Sequence, residues 1–190
     1  PKNIPLLILT SDRGLCGGFN ANINRTAERY IRDNERGHET MVLDVVGKKG
    51  NEYFKRRDTE IANYFADILK DASVEAASQV AEQVVADFVD GNLDAVYVVY
   101  NEFKSVMQQQ VVVESLLPIP KTAVEDEDGV PGADYLFEPA PSEIFDDLLP
   151  RYIETQFFRA LLESAAAEHA ARMTAMDSAS RNAGEMIDSL

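Results

Sequence analysis

A chain of 190 residues that is 45% apolar has room for one packed domain, or for a domain with an extended element. Its formal charge of −15 sets most of its surface against a nucleic-acid backbone, so DNA or RNA binding is not expected. One cysteine and two histidines exclude an internal disulfide and leave no Cys/His set for zinc, and the longest apolar runs fall far short of the roughly 20 residues that cross a bilayer.

The charge is uneven. Residues 1–60 carry 11 basic and 9 acidic side chains, whereas residues 61–190 carry 7 and 24. The lone Cys16 fits a reducing, cytoplasm-type compartment. No charged leader precedes an apolar run after Pro1, so no signal peptide is expected, and the sequence reads as the interior of a longer protein.

In chain order, Pro5 to Thr10 reads as a buried strand, followed directly by the glycine-rich stretch Ser11 to Asn20. A helix is predicted next, with Ile23, Ala27, Tyr30 and Ile31 on one face, Asn20 or Asn22 as its cap and Gly37 as its stop. Thr40 to Val46 repeats the strand pattern, and Lys48 to Arg57 is a short basic helix held by Tyr53 and Phe54. Glu60 to Asp67 is a weaker strand. Ser73 to Asp90 is an amphipathic helix with Ala77, Val80, Ala81, Val84, Val85 and Phe88 in one stripe, and Gly91 ends it. Ala95 to Phe103 and Gln109 to Leu117 are strands joined too tightly for a crossover helix, which makes them antiparallel and the sheet mixed.

Lys121 to Pro141 is loop-like and acidic, with a short edge strand at Tyr135 to Phe137. From Ser142 the pattern turns helical, and Pro150 is tolerated only near the start. About 40 residues counted from Arg151 make a rod of roughly 60 Å at ~1.5 Å per residue. Met173, Met176, Ser180, Ala183, Ile187 and Leu190 recur at spacings of 3 and 4, a heptad seam that Leu162, Ala166 and His169 extend backwards. A seam needs a partner helix, and this sequence has no second long one. The expected organisation is therefore an α/β domain over residues 1–141, a mixed sheet flanked by helices, and a long C-terminal helix over 142–190 whose seam awaits a partner.

The stretch Asp12 to Asn20 lies where a doubly wound fold binds phosphate, yet Gly14, Gly17 and Gly18 match neither G-x-G-x-x-G nor a P-loop. Turn-forming glycines are the expected reading, with no nucleotide, metal or other cofactor bound. Cys16 near a helix start could be an activated thiol, but neither His38 nor His169 is placed to serve it as a base. No catalytic residue is assigned. The acidic run Glu125 to Asp128 lacks a calcium-loop spacing and reads as solvated surface.

Three stretches, Ser11 to Asn20, Tyr100 to Gln109 and Ala171 to Ala183, with a weaker fourth at Tyr135 to Pro139, together resemble the gamma subunit of F-type ATP synthases over essentially the whole chain. The resemblance implies a central rotor stalk that carries torque between a proton-driven c-ring and the catalytic alpha and beta subunits, without chemistry of its own. It implies a Rossmann-like α/β domain between two long helices that form an antiparallel coiled coil, with an N-terminal helix, absent here, as the seam's partner, and a C-terminal helix that stops at Leu190 before its end. Expected partners are the epsilon subunit, the c-ring and the alpha and beta subunits, on the cytoplasmic face of a bacterial plasma membrane in preference to the mitochondrial matrix side.

By similarity the c-ring contact falls on Tyr135, Leu136, Phe137 and Glu138. Nine acidic groups against one lysine in residues 121–149 would also suit a basic ring surface. The isolated chain is expected to self-associate through its seam. Two alternatives stand beside this reading: a small α/β enzyme using the glycine loop or Cys16, and a coiled-coil adaptor pairing through residues 160–190.

Overall fold

The computed structural model describes residues 3–34, 40–57, 59–119 and 141–190. Among the described residues nine elements follow one another: β1 (Asn3–Leu9), α1 (Phe19–Asn34), β2 (Thr40–Val46), α2 (Lys48–Lys55), β3 (Ile61–Phe65), α3 (Val74–Val89), β4 (Val96–Ser105), β5 (Gln108–Leu117) and α4 (Pro141–Asp188). The five strands form one sheet in the order β3-β2-β1-β4-β5. β1 pairs in parallel with β2 and β4, β2 pairs in parallel with β3, and β4 pairs antiparallel with β5. The mixed sheet, its flanking helices and the long C-terminal helix agree with the sequence reading.

Leu6, Leu7, Ile8 and Leu9 are buried whichever way they point, because β1 is central and helices cover both faces. Alternation along β4 shows the two layers. Tyr97 meets Tyr30 of α1 with ring centroids 5.6 Å apart, while Tyr100, on the opposite face, reaches toward α4. α1 accordingly packs with α2, and α3 with α4.

Local signals set the boundaries. Ser73 caps α3, its side chain accepting from Ala76 N at 3.1 Å, and Gly91 at φ 72° turns the chain after it. The capping expected of Asn20 or Asn22 is not found. α1 begins at Phe19, so both asparagines lie inside it, and Asn20 instead reaches back across the loop to accept from Ser11 N at 2.9 Å. Pro150 was expected near a helix start, but α4 begins nine residues before it and runs on through it. The one hydrogen bond that proline removes is outweighed by the burial of Ile153 and Phe157 in the next two turns. Gly37 and His38 lie outside the described residues.

Asp44 of β2 is buried, and its carboxylate accepts from Asn63 Nδ2 at 2.9 Å. Burial pushes its pKa above the ordinary aspartate value, opposed by the hydrogen bonds from Asn63 and aided by Asp87 nearby. A raised folded value means the charged form costs stability. That cost is absent below the unfolded value near 3.9 and sets in as pH rises through the folded one. Asp44→Asn should therefore be more stable than the parent to urea at pH 7, with an advantage that shrinks toward pH 4. An equal or lower midpoint at pH 7 would contradict this.

Candidate functional site: the long helix and the end of the sheet

α4 has 48 residues, about 72 Å at ~1.5 Å per residue, and two faces with different fates. Ile153, Phe157, Ala160, Leu161, Ser164 and Ala167 are essentially fully buried and seat the helix on the sheet. Leu148, Leu162 and Met173, on the other stripe, are 54%, 45% and 56% exposed. Beyond Arg172 the helix leaves the domain, and none of residues 171–190 is buried. Each of the six seam residues, Met173, Met176, Ser180, Ala183, Ile187 and Leu190, is exposed.

The outward stripe starts earlier than its sequence pattern suggests. Leu148, Tyr152 and Thr155 precede Leu162 at heptad spacing, and with Ile119 and Leu149 they line an apolar groove of about 410 Å³. The spacing 148, 152, 155 is present in the sequence, masked there by apolar residues on both faces of the helix. The stretch Tyr135 to Glu138 lies outside the described residues.

Polar contacts fix the helix's rotation about its axis. Tyr100 donates to Glu114 Oε2 at 2.9 Å, Arg159 donates to Glu114 Oε1 at 2.5 Å, and Arg159 also reaches Glu163 at 3.3 Å. Burial, then the hydrogen bond and charge of Glu114, raise the Tyr100 pKa well above the ordinary tyrosine range, so the phenol remains a donor. Arg159 and Glu114 are part-exposed, which limits the pair to about 1 kcal/mol or less; it sets orientation more than stability.

At the sheet's C-terminal edge, where neighbouring connections diverge, doubly wound folds hold phosphates. The protein's own Asp12 carboxylate lies on the other side of β1, toward β2 and β3, accepting from Lys48 N at 3.0 Å and Asp67 N at 3.1 Å. Asn20 Nδ2 donates to Ser11 Oγ at 2.9 Å and lies 3.2 Å from the Cys16 sulfur, so the glycine-rich loop is tied to itself. Cys16 is 2% exposed beneath it, closed to a substrate in this conformation. His169 is exposed on α4 and lines a cleft with Asp12 and Arg13. Among the described residues no group of three or more His, Cys, Asp or Glu could hold a metal ion, and no helix is long and apolar enough to cross a membrane.

The family model described as ATP synthase matches residues 1–190. Relatives named ATP synthase gamma chain include those of Geotalea daltonii, 46% identical over 97% of this chain, and Geobacter metallireducens, 48% identical over 97%. The chain belongs to the ATP synthase gamma family. It spans 63% of the length of these two relatives and 66% of the one from Bdellovibrio bacteriovorus, to which it is 44% identical.

Among solved structures, this gamma-family chain is similar to one in the central stalk and c-ring of Tetrahymena thermophila mitochondrial ATP synthase. The TM-score is 0.74 at 27% identity, covering 94% of this chain and 76% of that one. A chain in the Euglena gracilis mitochondrial ATP synthase rotor shares the fold, with a TM-score of 0.66 at 21% identity, covering 98% of this chain and 69% of that one. The motifs at Ser11 to Asn20 and Tyr100 to Gln109 thus fall at one end of a gamma-family domain, the first in its self-tied loop and the second along β4 and into its hairpin.

Proposed function

We propose that this chain works as the foot and lower shaft of a rotary ATP synthase, coupling rotation of a membrane-embedded c-ring to the alpha and beta subunits without catalysing a reaction itself. One observation carries the reading: a single helix is seated on the sheet by one face and shows on the other a mainly apolar heptad stripe from Leu148 to Leu190, interrupted by Thr155, Arg159, His169 and Ser180. A body built this way transmits rotation, since turning the sheet turns the helix with it. In this reading residues 1–141 are the rigid foot and 142–190 the shaft, whose seam is covered by the gamma chain's N-terminal helix. In the isolated chain the same seam pairs with a second copy.

The stretch Tyr135 to Glu138 is assigned to the c-ring, and epsilon is assigned to the domain. The assembly lies on the cytoplasmic face of a bacterial plasma membrane. The relatives' bacterial sources and the stalk location of the Tetrahymena neighbour support this.

The test is mechanical. Inserting a flexible Gly-Ser-Gly-Ser between Ala171 and Arg172 of the full gamma chain should leave ATP hydrolysis by the assembled enzyme measurable. ATP-driven proton pumping per ATP should fall at least tenfold. Undiminished pumping per ATP would reject the shaft role for this helix.

A further inference from the structure

β5 is the outermost strand, and among the described residues it pairs only with β4. An edge strand of ten residues presents a row of N–H and C=O groups to whatever lies alongside. Proteins commonly protect such edges with lysine, proline or a short strand. Gln108–Leu117 has neither Lys nor Pro, and Val111, Val112 and Val113 along it are only half-buried.

Beside this edge lies an open groove of about 400 Å³ that Arg25 and Arg29 of α1 line together with Gln109, Gln110 and Val111 of β5 and the buried Asn101. The two arginines are one turn apart and both exposed. Like charges so placed disfavour each other unless something neutralises them. Among the described residues Arg25 is bonded only within its own helix, to Ala21 O at 3.2 Å and Asn22 Oδ1 at 3.4 Å. Arg29 has no hydrogen bond or ion pair among the described residues. The nearby Glu28 is already engaged, by the Tyr53 hydroxyl at 2.7 Å and Arg57 at 3.2 Å. In a chain of net charge −15 this is a local excess of positive charge. At the end of the same hairpin, Val106 and Met107 form an apolar tip, Met107 being 84% exposed.

We infer that this edge and groove receive an extended, acidic segment of a neighbouring protein. Its backbone pairs with the outer side of β5, a carboxylate sits between Arg25 and Arg29, and an apolar side chain covers Val106 and Met107. Only a polypeptide satisfies both features, since a small carboxylate leaves the strand edge bare and a basic or neutral strand leaves the arginines unpaired. The inference depends on the stalk reading only for where the neighbour is sought.

Two measurements test it. First, the 190-residue chain is titrated with a fluorescent ten-residue peptide of alternating Val and Glu. Binding should weaken at least tenfold in Arg25→Glu/Arg29→Glu, persist in Arg25→Lys/Arg29→Lys, and be absent for a Val/Lys peptide. Equal binding of both peptides, or none of either, overturns the inference whatever the chain's role in a rotor. Second, a photoreactive residue replacing Gln110 in the assembled enzyme should cross-link another subunit through a segment with two or more carboxylates. A cross-link only to residues 120–140 of the same chain would also overturn it. A failed stalk reading shows itself differently, as a gamma chain that does not co-purify with ATP synthase subunits at all.

Discussion

Phe157→Ala is expected to destabilise the isolated chain by about 3–5 kcal/mol, the usual cost of emptying a phenylalanine-sized site in a packed core. Phe157 is fully buried in the cluster that joins α4 to the central strands, with Ile153 and Leu161 one turn to either side. Little can collapse into the space, because β4 is held between β1 and β5 and α3 packs along α4. The matched control is Met173→Ala on the outward stripe of the same helix. Met173 is more than half exposed, so its truncation should change stability by no more than about 0.5 kcal/mol in the isolated chain at concentrations low enough to keep it monomeric. Urea denaturation followed by circular dichroism reads both. If the two substitutions cost the same, the division of α4 into a seated face and a free face is wrong.

Gly47→Ala should be of comparable or larger effect, at least about 4 kcal/mol, and should show as loss of soluble protein at 37 °C. Two independent terms add there. Gly47 has φ 89°, a region costly for a residue with a side chain, and a Cβ built on it would lie 2.1 Å from the Thr10 carbonyl oxygen. The backbone cannot retreat, since Gly47 N donates to Phe65 O at 2.9 Å and Thr10 N donates to Val46 O at 2.9 Å. The Thr10 side chain closes the same corner, donating to Val46 O at 2.7 Å and accepting from Gly50 N at 2.8 Å. A Gly47→Ala protein with parental thermal stability would show that the β2–α2 corner relaxes more freely than this geometry allows.

The parts of the fold that were legible in sequence are those whose cause is local. The apolar run of β1, Ser73 ahead of α3, Gly91 after it and a β4–β5 connection too short for a crossover each act within a few positions, and the structure keeps them. What was not legible depends on partners far away in the chain. Asn20 looked like a cap because its true contact, Ser11, is made only once the loop closes. Asp12 carried no visible role, since the two N–H groups it accepts come from residues 36 and 55 positions further on. Pro150 seemed to mark a start because helix propensity weighs the missing hydrogen bond and not the anchoring of Ile153 and Phe157. The heptad seam was readable from Leu162 onward, where alanines leave little else apolar. Its first turns were hidden where both faces of α4 are apolar.

α4 is both the wall of the core and the projecting rod, with no loop between the two roles. A rod joined to its base by a flexible linker would bend at that linker, and any twist applied to it would dissipate in backbone dihedrals. Here the last buried residues, Ala167 and Ala170, hand over to the exposed segment without a break in the helical hydrogen bonding. Elastic give is therefore displaced outward, into the free turns beyond Arg172. A load arriving there is spread over the side chains of five turns from Ile153 to Ala170 instead of falling on any single bond.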